Sequence, residues 1–392
     1  MSPRKNPLFR ILFLRLFLLG MVILSGTGIS AAQIAPDPLL EILARSPSAL
    51  MGDKGMFSYL NFRALEEAQK YVRPLTWSTF SEGKPDADWR TMMMRVRAGG
   101  EFLTYAAVLG PAMPTTVGFD WFDIQQAAEI GTPPMVGMLF GGIFGPDAMD
   151  KALKARGFEA QAREGITVWH RFEDNKLSVK DREPGDPFGG NLGISARIGY
   201  FPLHIANGRS WAVFDAFLGV YQDTAESMLR HPSYGLIAKV LTDPEVYAQP
   251  VIQLIILPQS WLARLPNQQP TGEGEKAPPY LYAGLADRQE GDLQRHELIL
   301  VYQTAAEANT AAPIIEDRLK EISGMVDAGV SIEFLPPRIA AGENGTAVLI
   351  LSVRYPWVQE VSAGDPLKRQ PGLLFSVWVN RVYRAEFPPL MR

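Results

Sequence analysis

The chain contains no cysteine, so no disulfide or thiolate metal site can brace it, and a hydrophobic core has to supply its stability. That constraint matters because of how the sequence opens. Residues 1–10, MSPRKNPLFR, carry Arg4, Lys5 and Arg10 and no acid, and residues 11–24 are apolar except for Arg15. Ser25, Gly26, Thr27, Gly28, Ser30, Ala31 and Ala32 follow. A basic segment, a short apolar run and a small-residue site, in that order, are the pattern of a secretory signal, here residues 1–32 with cleavage before Gln33. The other reading is an uncleaved N-terminal anchor. A spanning helix needs about 20 apolar residues, and residues 16–35 reach that length only by counting the Gly/Ser/Thr stretch. The basic flank suits the positive-inside orientation. Either way the expected destination of the remaining chain is extracytoplasmic, in a bacterial periplasm or anchored to the inner membrane and facing it.

Removing residues 1–32 takes four of the 38 basic residues and none of the 42 acidic ones, moving the net charge from −4 to −8. Nucleic-acid binding rests on Lys and Arg neutralising phosphates, and an acidic chain without basic runs is not expected to do it. An electrostatic grip on anionic lipid is disfavoured for the same reason, which leaves the N-terminal segment, if uncleaved, as the expected membrane contact. Hydrophobic content of 47% with 20% charged residues is that of a folded chain rather than a disordered one.

Periodicity predicts an α+β fold, mostly antiparallel sheets with packed helices. The clearest block is an apolar strand over 135–144, a helix entered at Gly145-Pro146-Asp147 and stopped at Gly157, and a hairpin of 158–163 with 166–172 around Glu164-Gly165. A second hairpin is read as 203–206 and 211–216 turning at Asn207-Gly208. Helices are read over 39–45, 123–129, 224–229, 234–241 and 304–322, the last with a break or kink at Pro313. Strands are read over 56–60, 251–257, 280–287, 293–302, 330–334, 347–355 and 373–383, and a loop over 81–88. The order of elements suggests two similar halves, 33–247 and 248–392, with a mobile loop at 266–279, QQPTGEGEKAPP at its centre.

The phrases VGFDWFDIQQAAEIGTPPMVGMLFGGIFGPDAMDKALKARGF, EGITVWH and SMLRHPSYGLIAKVL resemble a pattern in uncharacterised exported or membrane-anchored bacterial proteins. The likeness spans about half the chain and rests on structural punctuation. It implies an extracytoplasmic α+β domain and brings no functional residue with it.

Chemistry-bearing motifs are sparse. His170, His204, His231 and His296 lie more than twenty residues apart and form no HExxH or His-x-His pair, so no metal or other cofactor is expected. Ser81-Glu82-Gly83-Lys84 matches Ser-x-x-Lys but lacks the partner motifs of penicillin-recognising enzymes, and Gly193-Ile194-Ser195-Ala196 has Arg197 where a nucleophile elbow needs glycine. Gly141 to Gly145 precede a helix but match no phosphate loop, and Asp147 would repel an anion there; it reads as a capping acid. Met92, Met93 and Met94 invite a Cu(I) reading; placed on a strand they would face opposite sides, so core packing is preferred. Asn344-Gly345-Thr346 reads as a turn. The one stretch that could bind is the loop 181–191, where Asp181, Glu183 and Asp186 with Phe188 offer oxygens of the kind extracytoplasmic Ca²⁺ sites use. The alternating spacing of such sites is missing, and a solvated loop is the preferred reading.

These readings lead to an exported, non-catalytic binding or assembly module of the cell envelope, partnered by envelope proteins. A periplasmic small-ligand binder is the alternative, and a hydrolase using paired acids is a third class whose residues the sequence does not identify.

Overall fold

In the computed structural model, residues 37–82, 87–100, 106–264, 276–324, 331–356, 371–384 and 386–387 are described. The predicted signal and most of the predicted 266–279 loop lie outside them. Residues from Asp37 onward form one compact unit.

That unit is built on one antiparallel sheet. In chain order its strands are β1 (Met56–Asn61), β2 (Ile124–Thr132), β3 (Met135–Gly142), β4 (Glu159–Arg163), β5 (Ile166–Arg171), β6 (Ala196–Phe201), β7 (His204–Gly208), β8 (Gln253–Pro258), β9 (Tyr282–Glu290), β10 (Leu293–Tyr302), β11 (Glu333–Phe334), β12 (Arg338–Ala341) and β13 (Ala347–Pro356). The spatial order is β11-β13-β10-β9-β8-β1-β2-β3-β7-β6-β5-β4, with β12 also on β13. The expected halves are therefore two arms of one sheet, joined where β1 pairs antiparallel with β8, Phe57 opposite Ile256 and Leu60 opposite Gln253.

Ten helices among the described residues pack on it: α1 (Pro38–Arg45), α2 (Phe62–Ala68), α3 (Trp77–Glu82), α4 (Ala87–Met94), α5 (Ala106–Thr116), α6 (Pro146–Ala155), α7 (Trp211–Tyr221), α8 (Pro232–Leu241), α9 (Ala305–Gly324) and α10 (Leu373–Tyr383). The arms repeat an order: a helix (α1, α8), a strand (β1, β8), an antiparallel pair (β2–β3, β9–β10), a helix (α6, α9), then shorter strands before a return strand (β7, β13). Each return strand lies against the third strand of its arm, β7 on β3 and β13 on β10. The repeat ends at the last helix of each arm, since α7 packs with α1 and α8 while α10 packs with α9.

One face carries a single core shared by both arms, with Leu39, Ile42 and Leu43 of α1, Phe214 and Phe217 of α7 and Ile237 of α8 over strands from β2 to β13. The opposite face carries two cores. One is aromatic-rich around Trp77, Trp89, Trp121 and Phe140, and the other packs α9 and α10 on β9, β10 and β13. The shared core is what welds the arms together, because burying apolar surface rewards both at once.

Local chemistry sets the boundaries. Asp37 caps α1 through a 2.8 Å bond from the Leu39 amide, and Pro38 starts the helix where its missing N–H costs nothing. Pro146 does the same for α6, whose N-cap is Gly145; Asp147 sits in the first turn and makes no capping bond. Gly157 at φ +77° ends the α6 region, and Glu164 and Gly165, both at positive φ, turn the β4–β5 hairpin.

Several sequence expectations are corrected. Residues read as a helix over 123–129 form β2, because Ala127, Ala128 and Ile130 are buried on a two-sided strand. Residues 373–383 form α10 rather than a strand. Asn207-Gly208 ends β7 instead of turning a hairpin: Ser210 caps α7 by accepting from the Val213 amide, and β7 pairs with β6 through a turn at Pro202-Leu203. No helix forms over 224–229, and part of the 81–88 loop is helical. The three methionines end α4 rather than lying on a strand; Met92 is buried and Met94 exposed, as a helix disposes neighbours.

Candidate functional site

The loop singled out from sequence is partly buried and braced by arginines. Arg156, just past α6, bonds to both Glu183 and Asp186, and Arg171 of β5 adds a 2.6 Å bond to Glu183. Burial alone would raise the Glu183 carboxyl, but Arg156 and then Arg171 outweigh it and hold it below the usual range. Asp186 also caps the Phe188 amide at 2.8 Å, and Phe188 lies in the core against Phe119 and Phe140. Asp181 takes its bond from Ser178. Gly190 passes so close to Asp186 that a Cβ would sit 2.2 Å from its Oδ2. Among the described residues no group of three His, Asp or Glu gathers as metal ligands would.

The larger charge assembly, which sequence reading missed, lies in the C-terminal arm. The β9–β10 register puts Asp287 opposite His296 and Arg288 opposite Arg295, so alternation sends two networks to opposite faces. On one face Arg95, at the end of α4, grips both Asp287 oxygens at 2.7 and 3.0 Å, with Gln289 accepting at 2.7 Å and the Arg288 carbonyl at 3.0 Å. Gln253 of β8 donates to Asp287 at 2.8 Å and to the Arg95 carbonyl at 3.1 Å, and its own Oε1 accepts from the Arg97 and Ala98 amides. His296 lies with Nδ1 3.2 Å from Asp287 and Nε2 2.8 Å from the Tyr355 hydroxyl.

On the other face Glu297 is shared by Arg288 at 3.2 Å, Arg295 at 3.1 Å and the Tyr247 hydroxyl at 2.5 Å. The Arg288 guanidinium stacks 3.7 Å from the Tyr247 ring centroid and donates to the Leu241 carbonyl at the end of α8.

Asp287, His296 and Tyr355 have the connectivity of a proton relay, a carboxylate on Nδ1 and a hydroxyl on Nε2. They cannot serve one as they stand. Arg95, Asp287 and His296 are fully buried, so no substrate reaches them. Burial works against the Asp287 carboxylate, but Arg95 outweighs it and holds the pKa well below the ordinary value. For His296 burial wins, pushing the imidazole down and keeping it neutral. Glu297 is likewise held low against burial by Arg288 and Arg295. The network ties α4, β8, β9, β10 and β13 into one body.

Where this network approaches solvent, a groove opens. Gln289, bonded beneath to Arg95, lines a cavity of about 490 Å³ together with Gln69, Lys70, Tyr71, Asp88, Thr91 and Asp292. A smaller one of about 290 Å³ shares Ala68, Lys70, Gln289 and Gly291 and reaches Glu67, Gln249 and Pro250. Lys70 is exposed at φ +53°, where α2 ends, and Gln69 Nε2 is buried with no hydrogen-bond partner.

The segment leaving the groove is pinned. Arg73 holds Glu66 at 2.8 Å and donates to the Phe122 and Ile124 carbonyls at 2.6 and 2.8 Å, and Asp120 accepts from the Trp77 amide at 2.9 Å. Burial nonetheless raises the Glu66 carboxyl. Val72, just before Arg73, and Leu75, between Arg73 and Trp77, are 87% and 86% exposed. Two large apolar side chains thus stand in water on a tethered segment.

No family model matches the chain, and no curated protein matches it. Among solved structures it is similar to three crystal forms of the protein TP0453. Crystal form IV is 9% identical with a TM-score of 0.35, covering 78% of this chain and 92% of that one. Crystal form III is 8% identical with a TM-score of 0.34 over 78% and 93%. Crystal form I is 10% identical with a TM-score of 0.34 over 85% and 97%. Likenesses so distant transfer no residue and no role.

Proposed function

We propose that the chain is an exported, non-catalytic binding or assembly module of the cell envelope, resident in the periplasm or tethered to the inner membrane through residues 1–32. The observation that carries the binding role is the pinned segment beside the groove. Arg73 and Asp120 fix the backbone while Val72 and Leu75 stay in water. Apolar side chains displayed on a rigid support lose little entropy when a partner covers them, which favours association. Support for export is the basic, apolar, small-residue order of residues 1–32 and a body that relies on no cysteine. No helix among the described residues is long and apolar enough to cross a membrane.

The groove gives a second reading, a small polar ligand as the partner. Its volume of about 490 Å³ falls within the usual span of ligand pockets, about 300–1,000 Å³, and Lys70, Gln69 and Asp88 supply donors and an acceptor. Two measurements separate these readings. In-cell crosslinking followed by recovery from envelope fractions should yield a discrete protein adduct that disappears when Val72 and Leu75 are both changed to Ser. A thermal-shift screen against polar metabolites should instead show a stabilised chain if the groove holds a small ligand. Absence of any adduct from the native chain would defeat the assembly role, and a mature mass in a cytosolic fraction that retains residues 1–32 would defeat export.

A further inference from the structure

Among the described residues no strand lies beyond β4, and every residue of the strand from Glu159 to Ala162 is exposed, with Arg163 half-buried. The register of β4 on β5 pairs Arg163 with Ile166 across the two-residue turn, then Gln161 with Val168 and Glu159 with His170. In such a hairpin the pair closing the turn exchanges both backbone bonds, and bonded pairs recur at every second residue. Glu159, Gln161 and Arg163 therefore spend their N–H and C=O groups on β5, while those of Ala160 and Ala162 point away from the sheet.

We propose that β4 is a docking edge for a second copy of this chain, pairing antiparallel with itself about Gln161. The charges of Glu-Ala-Gln-Ala-Arg are equal and opposite about its centre. Laid antiparallel on its own copy, Ala160 meets the other copy's Ala162, and the outward groups of these two residues close four backbone hydrogen bonds. Gln161 meets Gln161. Glu159 meets Arg163 at both ends, in the non-hydrogen-bonded positions where side chains approach most closely.

Edges are usually guarded by charge that repels another strand. Here the two charges are opposite in sign and symmetric about the centre, so self-pairing brings attraction. Glu159 has no partner among the described residues, and Arg163 uses one nitrogen on Asp215 at 2.5 Å while its guanidinium stacks 4.4 Å from the Trp211 centroid. Phe158 gives its N–H to the Leu153 carbonyl at 3.1 Å, which confines the new ladder to the five residues of β4. Such a contact is isologous and closed, the commonest symmetry of soluble oligomers, and its small size makes it weak.

Sedimentation velocity of the mature chain purified from the envelope fraction tests this. The native chain should pass from monomer to dimer across the micromolar range, and added salt should move the midpoint upward. Glu159→Arg should raise the midpoint at least tenfold. Ala160→Pro should abolish dimerisation while leaving the unfolding midpoint unchanged, because the N–H it removes is not used within the sheet. Mixing Glu159→Arg with Arg163→Glu chains, both folded, should restore a mixed dimer. A native chain that stays monomeric throughout, a dimer untouched by both the arginine and proline changes, or a mixture that fails to pair would each overturn the proposal.

Discussion

The β9–β10 pair and the β4 edge treat charge in opposite ways. At β9 and β10, Asp287, Arg288, His296 and Glu297 are fully buried, Arg95 holds Asp287, and Arg288, Arg295 and Tyr247 hold Glu297. At β4 Glu159 is exposed and has no partner among the described residues, and half-buried Arg163 reaches Asp215 at the surface. Buried charge persists in a fold when the chain itself sets an opposite charge against it. Exposed charge on a free edge costs the fold almost nothing, so its pattern can answer to something outside the chain. The difference separates groups that hold the fold from groups available for association.

The strongest way to break the comparison is to strip a partner from the buried side. Asp287→Ala leaves Arg95 buried without its carboxylate and should cost about 3–5 kcal/mol, read as a large fall in the urea midpoint. Glu297→Leu alone should cost a similar amount, about 3–5 kcal/mol, because Arg288 and Arg295 would lose their shared acid. Replacing Arg288 and Glu297 together by Met and Leu should recover the part of that loss that comes from stranding Arg288, while Arg295 keeps Glu290 at 2.7 Å. A double variant as unstable as the single one would show that the pair, and not the stranded charge, sets the stability.

Acid sharpens the comparison next. Burial keeps His296 neutral in the fold, while an unfolded imidazole titrates near 6.5. As pH falls below about 6.5 the unfolded chain takes up a proton that the native chain refuses, and stability drops. Asp287 and Glu297 are held low in the fold. Their contribution is complete above the unfolded values near 4 and is lost as pH falls through the lower folded ones. Urea midpoints should therefore decline gently from about pH 6.5 and steeply below about pH 4. Burial pushes His204 and His231 down as well, so His296→Gln should reduce the first decline without removing it and leave the second.

Why the two regions differed in legibility follows from the distances their contacts span. The α6–β4–β5 block could be read because Pro146, Gly157 and Glu164-Gly165 punctuate it within a few residues of each boundary. The β9–β10 hairpin was equally local. The Arg95–Asp287 pair joins residues 192 positions apart, and no local pattern announces it. A usable signal was present: Asp287 and Arg288 follow directly on an apolar run. Residues 373–383 defeated the period test because LLFSVWVNRVY is apolar on most sides of either element. Gln125-Gln126-Ala127-Ala128-Glu129 favours helix locally, and burial between β1 and β3 overrides it. The loop 181–188 misled because its acids look free until Arg156 and Arg171 are brought to them by the fold.

The smallest effects belong to the exposed side. Val72→Ser with Leu75→Ser should move stability by no more than about 0.5 kcal/mol, although it removes the surface proposed to meet an envelope partner. Chemical unfolding of the doubly substituted chain beside the native one checks this, and a large destabilisation would mean that both side chains belong to the core.

The most direct test of the division between fold-holding and spare charge is a urea unfolding comparison of Asp287→Ala with Glu159→Arg, at a dilution where the native chain is monomeric. The account predicts a loss of about 3–5 kcal/mol for Asp287→Ala and a change within about 0.5 kcal/mol for Glu159→Arg. Equal losses in the two variants, or a stable Asp287→Ala chain, would contradict it.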